Sequence, residues 1–166
     1  GTPHVLTIPQ LFVENMQVSE DYYNRISFSM IVRVLRYFAL FISILLPGFF
    51  VAIITFNQEM IPTPFLLTLI SSRQQVPLPA AAEAFFMLLM FELLRESGTR
   101  LPKPIGSAIS IVGALILGDA AVNAGIVGAP MVIVIALTAV TSFINPNVMN
   151  FMMLYRFFFL VLGGVM

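Results

Sequence analysis

The chain has 166 residues, 59% of them hydrophobic and 10% charged, with a mean hydropathy of +0.98, against about 45–50% apolar and about 25% charged in ordinary globular proteins. A soluble domain so poor in charge has too little polar surface to cover itself, and eight basic residues against eight acidic ones leave no net field to draw in nucleic acid. The absence of Cys, with His4 as the single histidine, removes disulfides, thiolate nucleophiles and multi-histidine metal centres, so no enzyme activity, metal or cofactor is expected.

Residues 1–36 hold six of the sixteen charges (Glu14, Glu20, Asp21, Arg25, Arg33 and Arg36) and read as the end of a soluble portion and its linker. Ser19-Glu20-Asp21 has the letters of a helix start, a cap oxygen followed by acids at the positive end of the dipole. The remaining stretch, 37–166, reads as a transmembrane domain. It stops inside the apolar run FFFLVLGGVM and the chain opens without Met, so a longer protein is expected.

Tyr37 to Gln58 is free of charge for 22 residues, enough for the roughly 20 that span a hydrocarbon core. Pro47-Gly48 at its middle removes one helical hydrogen bond and adds a joint, predicting a kink and a candidate hinge. Residues 59–79 set four prolines around the short apolar run Phe65–Ile70, which is too short to cross and predicts a re-entrant or interfacial piece. A helix follows, AAAEAFFMLLMFELLRE. Its Glu83 and Glu92 are nine residues apart, about 900° of rotation, and therefore project to opposite sides.

Residues 104–155 carry one charge, Asp119, and are too long for one crossing, so two helices with a break at Gly125–Pro130 are predicted. The first is rich in Gly, Ala and Ser, with Ala114/Gly118 and Ala121/Gly125 at the spacing of close-packed helices. The second closes at Asn145-Pro146-Asn147, a further candidate joint. Arg156 opens the final apolar run. The fold class expected is all-α: a polytopic transmembrane helical bundle with short re-entrant or interfacial segments. Orienting it by its basic residues puts Arg33, Arg36, Arg95, Arg100, Lys103 and Arg156 at the cytoplasmic edge and Arg73 opposite.

An ionisable group inside a span costs about 2.5–3.5 kcal/mol on insertion scales, so each requires a partner, water or a neutral state. Glu83, Asp119 and Glu59 are the candidates for a pore lining or another intramembrane polar role, with interhelical bonds the alternative for Glu83 and Asp119, and marking the membrane surface the alternative for Glu59 with Asn57. Glu92, Arg95, Glu96 and Arg100 have the spacing of an ion-pair network at a helix end. The sixteen Phe and ten Met read as lipid-facing and packing residues.

Several stretches together resemble the membrane portion of the bacterial spore germination protein family, the A subunit of GerA-type germinant receptors and its sporulation paralogues of the SpoVAF type. They are PQLFVENMQVSEDYYNR, RVLRYFAL, LPGFFVAIITFNQEMIPT and, most specific, FELLRESGTRLPKPIG followed at once by SIVGALILGDAAV. The resemblance implies a multi-pass subunit in the inner spore membrane, working with B and C subunits. It also implies a homo-oligomeric, nutrient-gated channel that releases monovalent cations to start germination. A secondary carrier, for which broken helices and an intramembrane acid are also typical, and a non-conducting membrane scaffold are the alternatives.

Overall fold

The structure, a computed structural model, describes residues 25–99, 103–145 and 148–165, together with Phe12, Met16, Tyr22 and Tyr23. Ser19, Glu20, Asp21, Arg100, Pro146 and Asn147 lie outside the described residues, and with them the expected helix start and part of the second joint. What is described is helical and contains no strand: α1 (Ile26–Thr55), α2 (Thr63–Arg73), α3 (Ala80–Thr99), α4 (Lys103–Asn123), α5 (Ala129–Phe143) and α6 (Met149–Val165), with a 3-10 turn at Gln58–Met60.

The helix limits follow local chemistry. Helix α1 starts just after Arg25 and runs unbroken through Pro47, so Arg33 and Arg36 ride on its first turns rather than preceding it. Pro64 near the start of α2 and Pro130 near the start of α5 occupy the position where a missing N–H costs nothing. Helix α4 stops because Gly125 takes φ +67°, a left-handed conformation free of Cβ strain. The N–H of Ile126 then reaches back to the Ala121 carbonyl at 3.0 Å, closing the helix with a Schellman turn. Gly125 thus terminates α4 instead of packing it, and the break falls within the predicted stretch.

Helix α1 packs chiefly on α6 and then α5, while α4 lies along α3. The core is Val51 of α1, Ala84, Leu88 and Phe91 of α3, Met131 and Ile135 of α5, and Leu160 of α6. Gly48 and Gly163 let the backbones of α1 and α6 touch: a Cβ on Gly48 would lie 2.5 Å from the Phe159 carbonyl oxygen, and one on Gly163 would collide with the Gly48 carbonyl. Among the described residues one helix, α1, is long and apolar enough to cross a membrane; Val112–Asn123, α5 and Phe151–Val165 are shorter apolar helices.

The distribution of polarity is inverted. Arg156 and Glu83 are fully buried and Glu92 nearly so, whereas Phe38, Leu115, Ile133 and Leu154 are each more exposed than buried.

Candidate polar centres in the helical bundle

Two buried ionic centres stand at different places in the bundle, and Pro47 explains the first. A helical N–H bonds the carbonyl four residues back, and proline has no N–H; the Ser43 carbonyl therefore loses its helical partner. Arg156, on α6, replaces it. Its Nε donates to Ser43 O at 2.9 Å, its Nη2 to Ser43 Oγ at 2.6 Å and its Nη1 to Glu92 Oε1 at 3.2 Å. Ser43 Oγ in turn donates toward Met152 Sδ at 3.7 Å. Glu92 Oε2 lies 2.9 Å from Arg95 Nη2, one turn on in α3. The centre links α1, α3 and α6 and sets two guanidinium groups on one carboxylate, a net positive cluster.

The second centre joins α2, α3 and α5. Glu83, in the first turn of α3, accepts a hydrogen bond at Oε1 from the N–H of Gly128 at 2.6 Å. Gly128 is the residue before α5, so the carboxylate supplies the cap that its own side chain lacks and meets the positive end of that helix. Glu83 Oε2 lies 3.2 Å from Arg73 Nη2 at the end of α2. A proline-bounded short helix is thereby tied to the interior by one ion pair.

The candidates named from sequence divide accordingly. Glu92 and Arg95 meet each other. Glu96 is exposed on the same helix, and Arg100 lies outside the described residues. Glu83 and Glu92 serve separate centres, as their half-turn offset requires. Asp119 is on the outer face of α4, accepting a hydrogen bond from Asn123 Nδ2 at 3.2 Å, and Glu59 is exposed in the 3-10 turn. Pro47 and Gly48 are buried at the α1–α6 contact, and Asn145 Nδ2 donates to the Arg36 carbonyl at 2.9 Å. Arg156, which charge counting puts at the cytoplasmic edge, is fully buried among protein groups: a carbonyl freed 113 residues earlier, a serine and a glutamate converge on it. The available signal was Pro47, which announces an orphaned acceptor without naming its donor.

An apolar groove of about 490 Å³ between α3, α4 and α5 is walled by Phe86, Met90, Phe91, Val132 and Phe143 and by small alanines, with no convergent polar group to orient a ligand.

The sequence model of the family described as Bacillus/Clostridium GerA spore germination protein matches residues 1–166. Spore germination protein KA of Bacillus subtilis (strain 168) is 49% identical over 168 residues, covering 100% of this chain and 31% of that protein. The uncharacterized membrane protein YfkQ of the same organism is 50% identical over 147 residues, covering 89% of this chain and 29% of its own length. Spore germination protein GerLA of Bacillus cereus is 44% identical over 146 residues, covering 88% of this chain and 30% of its own. No solved structure matches the chain. It spans roughly a third of the length of these curated relatives. With the family model matched from end to end and relatives this similar, the chain belongs to the GerA spore germination protein family.

Proposed function

We propose that the chain is the membrane part of a spore germinant receptor subunit in the inner spore membrane. It acts with B and C subunits in nutrient-triggered germination, as one copy of an oligomeric ligand-gated cation channel. The observation that carries the membrane half of this reading is the inverted polarity: charges buried and paired in the interior, Phe, Leu and Ile outward. In water that arrangement would expose apolar surface without return; in lipid it hides the costly groups and solvates the cheap ones. The names of the relatives, spore germination proteins and a membrane protein, support the same reading.

Helix α1 crosses, and α3 to α6 complete a polytopic bundle with α2 lying at the interface. Helix α5, at 15 residues, is about 22 Å long against a core of about 30 Å and draws on local thinning of the bilayer or on its flanking turns. The conducting path runs between copies of the chain. Glu83 and Glu92 are spent on arginines, and the net positive Arg156 centre repels cations. Asp119 is on the outer face of α4, free to line a path that a neighbouring copy completes.

Asp119→Ala in the full-length protein is expected to slow monovalent cation release from spores after nutrient addition, with the protein at wild-type abundance. Unchanged release removes Asp119 from the path. Reconstituted with its partner subunits, the receptor is expected to give discrete single-channel currents. Slow saturable exchange without steps would favour a carrier, and no ion movement from an intact assembly a scaffold.

A further inference from the structure

The end of α1 and one side of α2 line a second, smaller cavity of about 240 Å³, open along one side. Its walls are Ile54 and Gln58 on one side, Leu66 and Leu69 on the other, with Arg73 and Gln74 closing one end. Unlike the larger groove it is amphipathic, an apolar body with a polar end, the pattern that both attracts and orients a small ligand. It is smaller than the roughly 300–1,000 Å³ of sites that take drug-sized ligands, and so suits a small molecule.

The polar end has donors to spare. Arg73 pairs Nη2 with Glu83, and its Nε, which meets no acceptor among the described residues, is sealed from solvent, so the outer nitrogens of the guanidinium are the ones a ligand could reach. Gln58 donates one amide hydrogen to the Ile54 carbonyl at 2.7 Å, which fixes its head at the cavity wall and leaves its other hydrogen unspent. The charge of Glu83 is shared between Arg73 and the N-terminus of α5 through Gly128, so it does not fully neutralise the guanidinium. Glu59 neighbours Gln58 in sequence but is not part of the wall.

We propose that this cavity is a binding site for a small amphipathic carboxylate, whose oxygens take the unspent donors of Arg73 and Gln58 while its short apolar body lies against Ile54, Leu66 and Leu69. Guanidinium suits this role because its planar fork meets two oxygens at once. The occupied site bears directly on the Arg73–Glu83 pair and through it on the start of α5, a connection of three residues between a surface ligand and the bundle interior. The inference does not depend on the channel reading, and its failure would leave that reading untouched.

The test uses the full-length protein in lipid nanodiscs, with pentanoate as probe and saturation-transfer NMR and calorimetry as readouts. Saturable pentanoate binding is expected, with no competition from pentylamine, which has the same body and the opposite charge, or from inorganic phosphate, which has the charge and no body. Arg73→Lys keeps a cation opposite Glu83 but loses the fork, and Leu66→Trp fills the apolar end without touching the ion pair. Each is expected to weaken binding about tenfold or more, with an unchanged melting profile certifying the fold. Should one variant melt early, the other carries the test. Equal binding by wild type and the folded variants, or displacement by pentylamine or phosphate, overturns the proposal.

Discussion

In sequence Arg156 is a lone cation between Tyr155 and three phenylalanines, four residues after Met152. Its stability in that setting comes from filling three donor directions at once, with a carbonyl, a hydroxyl and a carboxylate, at 2.6–3.2 Å. A buried pair is costly to form and costlier to break: removing one partner strands the other charge, at about 3–5 kcal/mol. Arg156→Met is therefore expected to lower the detergent melting temperature and the membrane abundance sharply, because Glu92 then faces Arg95 alone. Adding Glu92→Gln to Arg156→Met leaves Arg95 without its carboxylate, so the double variant is expected to be less stable than Arg156→Met alone, but by less than the full cost of Glu92→Gln, because part of that cost is the pair already lost. A double variant as unstable as the sum of the two single ones would mean that the groups do not act together.

At the level of elements, the α1–α6 contact depends on Pro47 and Gly48 acting as neighbours. Proline opens a carbonyl toward α6; glycine, one residue on, lets the α6 backbone come close enough for Arg156 to reach it. A carbonyl freed by proline in apolar surroundings must be satisfied elsewhere, and here the donor is a charged side chain. Pro47→Ala restores an N–H that bonds Ser43 O within α1 and competes with Arg156 Nε. In that background the cost of Arg156→Met is expected to fall by about 1 kcal/mol, the worth of one hydrogen bond, as read from a double-mutant cycle of melting curves. An identical cost in both backgrounds would show that the Ser43 carbonyl contributes nothing to holding Arg156.

For the whole molecule, the inverted polarity makes a prediction that the chain is well suited to test, since it contains no cysteine of its own. Maleimide reacts with a thiolate and so requires water. Tyr23→Cys, at a site 90% exposed in the charged lead-in, is expected to label in intact membranes once the bilayer is made permeable to the reagent. Phe38→Cys, Leu115→Cys and Leu154→Cys, at sites 65–71% exposed in the isolated bundle, are expected to stay unlabelled until the membrane is dissolved and the protein unfolded. Rapid labelling of all four would place those helix faces in water and end the membrane reading.

Much of the architecture was legible in the residues. Charge-free length located α1, the proline cluster isolated α2, and the Gly125–Pro130 break separated α4 from α5, because hydrophobic periodicity and helix punctuation are local properties. The opposite projection of Glu83 and Glu92 also followed from rotation per residue alone. The partners of those acids did not. Glu83 caps a helix that begins 45 residues later, and Glu92 meets an arginine 64 residues away. A long-range ion pair leaves no periodic trace along the chain. Composition decided that the few charges would be set in a largely apolar chain and would need partners wherever they are buried; only the packing of α1, α3 and α6 decided which charge is hidden by which, since desolvation demands a partner but is indifferent to where in the sequence that partner comes from.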